Sequence, residues 1–149
     1  MEELNLYAGD FCISTSKTKL DLKAIHQFLS TESYWCKGIS FERVKRAAAN
    51  SLTFGLYHKG TQIGYSRIIS DYTSMAYLAD VYVLPEFRGQ GLSKWLIQTI
   101  RQHPELQGLR RWLLATADAH GLYGQYGWKE LAEPERWMEI HDKNVYQNC

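Results

Sequence analysis

Apolar positions along the chain switch between two periods, and that switch marks out the elements. Leu22, Ile25, Phe28 and Leu29 recur at helical spacing and predict a helix over residues 21–30, with Asp21 as its cap. Ser40 stands three residues before Arg43, the spacing of a capping box, with Arg where Glu or Gln is usual. Val44 and Ala47 to Ala49 continue that second helix. Between the two helices, residues 31–39 read as an aromatic-bearing loop. Residues 11–14 form a short first strand. Residues 52–57, 62–69 and 75–84 read as three strands joined by turns at 58–61 and 70–74. Leu92, Trp95, Leu96 and Ile100 mark a helix with one buried face, which His103-Pro104 ends. Residues 111–116 are an apolar strand expected to be buried on both faces. Residues 119–126 read as a short helix closed by Gly127, and 128–131 and 137–141 as two final strands.

This order predicts a mixed-sheet α/β (α+β) fold in one domain, residues 1–149. The strand–turn–helix–strand unit over 79–116 is expected to be a right-handed parallel crossover. Composition changes the picture little: 45% hydrophobic and 22% charged residues are ordinary for a globular chain. A net charge of +1 gives too weak a field to make nucleic acid or an anionic membrane the main partner. The early acids and the missing apolar h-region of residues 1–11 do not read as a secretory signal. Cys12, Cys36 and Cys149 are odd in number and match no zinc or redox spacing. The expectation is a cytoplasmic protein without a metal, and an open sheet edge could pair in a homodimer.

The informative chemistry sits where the third strand of the meander meets a helix: Asp80-Val81-Tyr82-Val83-Leu84-Pro85-Glu86-Phe87-Arg88-Gly89-Gln90-Gly91-Leu92-Ser93. A helix start has backbone N–H groups without internal partners and carries partial positive charge. Together they form an anion site. Gly89 and Gly91 leave the backbone open to a phosphate, with Arg88, Lys94 and the Ser93 hydroxyl nearby. The stretch is not a Walker loop, and it lacks the third glycine of a dinucleotide fingerprint. An ordinary tight turn and a plain nucleotide or phosphate binder remain open on the turn alone.

Residues 83–93 resemble the signature of the GNAT superfamily of N-acetyltransferases, with Glu86 where Gln or Arg is usual. Leu122-Tyr123-Gly124-Gln125-Tyr126-Gly127-Trp128 resembles the family's second block, with Trp128 for Phe. The resemblance implies a splayed central sheet flanked by helices and acetyl-CoA as co-substrate. It also implies transfer of the acetyl group to an amine of a small molecule or peptide. By position, the backbone of Val81, Tyr82 and Val83 would hold the pantetheine arm. The amides of Arg88, Gly89, Gln90, Gly91, Leu92 and Ser93 would hold the pyrophosphate, and the Val83 amide would stabilise the oxyanion. Tyr123 matches the donor position for the leaving thiolate. Asp80 is a candidate base or a hydrogen-bonded structural carboxylate, with Asp118, His120 or ordered water as the other candidate bases. Tyr34, Trp35 and Tyr72 are the expected acceptor contacts. A non-catalytic acyl-CoA-binding regulatory domain is the alternative to an enzyme.

Overall fold

The computed structural model describes residues 1–147, so Cys149 lies outside the described residues. Six strands form one sheet in sequence order: β1 (Asn5–Ala8), β2 (Phe11–Ser14), β3 (Leu52–His58), β4 (Thr61–Ser70), β5 (Met75–Val83) and β6 (Arg111–Leu113). Neighbours are antiparallel up to β5, and β5 pairs with β6 in parallel. The parallel pair is the crossover expected from the strand–helix–strand order.

Four helices cover the sheet: α1 (Leu22–Thr31), α2 (Phe41–Ala49), α3 (Leu92–Arg101) and α4 (His120–Gly124). Asp21 caps α1 by accepting from the Ala24 N–H at 3.1 Å, and Ser40 caps α2 by accepting from Arg43 at 3.3 Å. Each cap satisfies one N–H that the first turn leaves free. One face of the sheet packs Phe54, Ile68 and Leu78 against Leu96, Ile97 and Ile100 of α3. The other packs Tyr65 and Tyr82 against Ile25, Phe28 and Leu29 of α1 and Val44 of α2. Burying each such side chain contributes roughly 1.5–3 kcal/mol.

Three expectations need correction. The hairpin strand β1 was not anticipated, because every residue of it is exposed and no alternation marks it. The strand expected over 111–116 is three residues long and only half-buried, because the chain leaves β5 after Leu113. Residues 128–131 and 137–141 form no strand; a single 3₁₀ turn, Pro134–Arg136, interrupts an otherwise irregular segment.

Candidate functional site

The β5–β6 ladder runs Met75↔Arg111, Ala76↔Trp112 and Tyr77↔Leu113 and then stops. From Leu78 to Val83, β5 has no strand beside it on that side among the described residues. The sheet therefore opens into a wedge, with β5 as one wall and the chain leaving β6 as the other.

A bulge sits on the β5 wall. Tyr65 faces Tyr82 and Arg67 faces Ala79, so Asp80 and Val81 together oppose Ser66. Asp80 takes a left-handed conformation (φ 57°), and the Ser66 hydroxyl donates to the Ala79 carbonyl at 3.2 Å. Beyond the bulge, the Leu84 N–H donates to the Ile63 carbonyl of β4 at 2.8 Å. Strand alternation then turns the N–H groups of Val81 and Val83 toward the wedge and that of Tyr82 toward β4. The Tyr82 ring is buried and stacks on Phe28 at 3.9 Å. Of the three residues expected to hold a pantetheine arm, the structure turns the backbone of Val81 and Val83 to the gap and commits Tyr82 to the sheet and core.

The turn after β5 has the expected form. Gly89 (φ 82°) and Gly91 (φ 80°) are left-handed, and an added Cβ at either would meet no atom within 4 Å. Both glycines are thus required by backbone dihedral, and the space beside them is open. Trp95 is the first residue to donate into α3, to the Gly91 carbonyl at 3.0 Å. The amides of Leu92 and Ser93 precede it and are those a helix start leaves without a helical partner. The Leu92 side chain is buried in the core, while Gln90 bonds the Phe87 carbonyl at 3.4 Å. Arg88 corrects one expectation: its N–H donates to the Pro85 carbonyl at 3.2 Å and is not free for an anion, while its Nε donates to the Val83 carbonyl at 2.9 Å and ties the turn to β5. Two open glycines, the first-turn amides and an unpaired strand edge together fit a diphosphate followed by an amide-bearing arm.

Asp80 is fully engaged. Its Oδ2 lies 2.6 Å from Arg67 Nε and its Oδ1 accepts from Trp35 Nε1 at 2.9 Å. These bonds fix the bulge and tie the α1–α2 loop to β5, which is a positioning role. No oxygen of Asp80 is left without a donor, so of the two readings left open by the sequence the arrangement supports the structural carboxylate over the free base.

Tyr34 and Trp35 pack edge to face at 5.0 Å. The Tyr34 hydroxyl accepts from the Ala117 N–H at 2.9 Å, so the loop spans the wedge from Asp80 to the chain beyond β6. Tyr123 on α4 belongs to the same neighbourhood. Burial, with Tyr34 and Asp118 nearby, pushes its phenol up to about 12. It keeps its proton at neutral pH and can donate it. Asp118 and His120 are exposed, and the N–H groups of Asp118 and Ala119 donate to Thr116 Oγ1 at the start of α4. Tyr72 is not part of this group. It stands before β5 beside Glu105, at the end of the strand remote from the glycine turn. Arg67 was missed by sequence reading; only its pairing across the sheet reveals it.

Residues 22–128 match the acetyltransferase (GNAT) family. A candidate acetyltransferase of Gibberella zeae is 34% identical over 87% of this chain and 85% of its own length. The crystal structure of a candidate GNAT acetyltransferase from Xanthomonas campestris has a TM-score of 0.90 and 46% identity, covering 91% of this chain and 96% of that one. A predicted acetyltransferase from Clostridium acetobutylicum, solved with acetyl-CoA, shares the fold at a TM-score of 0.57 and 16% identity, over 82% of this chain and 92% of its own. The splayed β5–β6 pair, the glycine turn and these relatives agree: the chain belongs to the GNAT acetyltransferase family.

Proposed function

We propose that the chain is an N-acetyltransferase that moves an acetyl group from acetyl-CoA to an amine by direct attack. The observation that carries the reading is the wedge itself. Its gap receives the Val83 N–H and ends at the first-turn amides of α3, and Tyr123, protonated, stands near the Tyr34 loop that spans it. Acetyl-CoA held there supplies the acyl thioester. The amides from Gly89 to Ser93 bind its diphosphate, and the Val81 backbone orients its arm along β5. The Val83 N–H donates to the oxygen on which charge develops. Tyr123 holds the proton that the departing thiolate takes. Water, not Asp80, removes the proton of the attacking ammonium.

The acceptor reading rests on the surface to which Arg67 also contributes. A cleft of about 700 Å³ lies there, lined by Ile39, Glu42, Arg43, Arg46, Arg67 and Tyr146. Arg43 and Arg46 have no carboxylate within 4.0 Å among the described residues. Such a cleft suits an amine that also carries a carboxylate. The mouse thialysine N-epsilon-acetyltransferase, 34% identical over 51% of this chain and 48% of its own length, acts by its name on an acceptor of that kind.

The test is release of free CoA thiol from acetyl-CoA across amines with and without a carboxylate, beside calorimetric binding of acetyl-CoA. Amine-dependent release, greatest for carboxylate-bearing amines, supports the reading. Binding without turnover on any amine would favour a regulatory domain, and absence of binding would remove the proposal.

A further inference from the structure

Residues 142–147 fold back onto the start of α2. The Asp142 carboxylate accepts from the Asn144 N–H at 3.0 Å, and the Asn144 carbonyl accepts from the Gln147 N–H at 3.0 Å. A carboxylate that bonds the backbone two residues on shapes a turn from within its own segment. The turn delivers the half-buried Tyr146 ring to the core cluster that holds Ile25, Phe28, Ile39 and Val44. The backbones approach closely there: a Cβ on Gly38 would lie 3.2 Å from the Tyr146 carbonyl oxygen. The α1–α2 loop and this turn are therefore fitted to each other, and Tyr146 becomes one wall of the cleft beside α2.

The charges of that cleft are unbalanced. Arg43, Arg46 and Arg67 line it against one acid, Glu42. Arg67 is already engaged, with Nε on Asp80 at 2.6 Å and Nη1 on the Ser51 hydroxyl at 3.2 Å. Arg43 and Arg46 stand three residues apart, on one face of α2. The Arg43 guanidinium carbon lies over the Tyr146 ring, 5.3 Å from its centroid, and its side chain donates to no other group among the described residues. The negative face of an aromatic ring attracts a guanidinium. Stacking uses the face of the guanidinium and leaves its edge, where the N–H groups point, free. A planar carboxylate meets such an edge with two parallel hydrogen bonds. An arginine on a flexible stem loses rotamer freedom when it binds; a ring that already holds it removes part of that cost.

We propose that Tyr146 is a positioning residue for acceptor recognition: its ring holds the Arg43 guanidinium with its edge toward the cleft, where it takes the carboxylate of the incoming amine. The inference rests on the reading of this cleft as the acceptor site. It goes further by assigning the carboxylate to Arg43 and the placement of Arg43 to the turn over 142–147. Arg46, with no ring stacked on it, adds charge without direction.

The probe is ε-aminocaproate, with its methyl ester as the uncharged counterpart, added to the full chain. The Arg43 Nε–H signal in heteronuclear NMR reports binding whether or not the probe is turned over. The ratio of kcat/KM for the acid to that for the ester reports its use in acetyl transfer. In the wild type the signal is expected to shift saturably with the acid and not with the ester. Tyr146→Ala should weaken binding of the acid by roughly tenfold, and Tyr146→Phe, which keeps the ring, should restore it. The acid-to-ester ratio should fall by a similar factor in the Ala variant, through KM more than kcat. Binding that follows Tyr146 without any turnover would support the positioning role and remove the acetyl-transfer reading. A preference for the acid in turnover that Tyr146→Ala leaves intact would overturn the inference and leave that reading standing. A wild-type Arg43 signal indifferent to the acid would also overturn it, as would a Phe variant that behaves like Ala.

Discussion

Arg67 Nε meets Asp80 Oδ2 at 2.6 Å where β5 carries one residue more than β4, and Trp35 closes the other oxygen of the same carboxylate. The pair is only 17% and 11% exposed, so removing one partner strands a largely buried charge. Arg67→Ala and Asp80→Ala are each expected to cost roughly 2–4 kcal/mol in urea unfolding. The double substitution should cost little more than either one, because the pair fails as a unit. Additive losses would show that the two residues act separately.

Tyr123→Phe removes the proposed donor and keeps the ring that packs against Trp128 at 5.8 Å. A fall in kcat of roughly 10²-fold is expected, with acetyl-CoA affinity retained. With the phenol at about 12, its ionisation should not produce a fall in kcat between pH 8 and pH 10. A limb in that range that disappears in the Phe variant would contradict this assignment.

Gly91 stands at φ 80° with open space around it. Gly91→Ala is expected to cost about 1–2 kcal/mol of stability through the dihedral alone. Acetyl-CoA binding should weaken further, by roughly tenfold or more, because the new methyl group enters the space reserved for the phosphate. Calorimetric titration at a temperature where the variant is folded separates the two effects.

His103 is buried, with Nδ1 accepting the Glu105 N–H at 3.1 Å and the ring edge-on to Phe54. Burial lowers its pKa below the ordinary histidine value of 6.5. The unfolded chain then binds the proton more readily than the folded one. The stability contributed by the neutral ring is present above pH 6.5 and is lost as the pH falls below it. In His103→Gln, denaturant midpoints should show a shallower decline over that acid range than in the wild type.

Lys17 reaches across from the segment before α1 to the end of α2. Its Nζ donates to the Ala48 carbonyl at 2.7 Å and also to the Ser51 carbonyl. A cation there satisfies carbonyls that a helix end leaves free and complements the helix dipole. Lys17→Met should lower stability by about 1–2 kcal/mol, read from thermal or urea unfolding.

Helices α1 and α2 were legible because their signals are local: the Asp21 and Ser40 caps and the apolar spacing act within a few residues. The glycine turn was legible for the same reason. Strand β1 was not, since a hairpin strand exposed on both faces leaves no hydrophobic period to read. Tyr34 and Trp35 were expected beside the site and the structure brings both there, but Tyr72, of the same residue type, went to the far end of β5. Residue type suggests an aromatic contact; only chain path decides which aromatic makes it.

The sequence by itself determined the order of elements from β2 to α4, the glycine turn at Gly89–Gly91 and the family, because each rests on residues adjacent along the chain. Tertiary structure alone decided the role of Asp80 and the partner of Arg67. These depend on β4 and β5 meeting in one register with one extra residue, 13 positions apart in sequence. It also decided that the chain after Leu113 leaves β5 and opens the wedge. A strand's propensity is carried by its own residues, but its pairing is a contact with another segment and cannot be read from one segment alone.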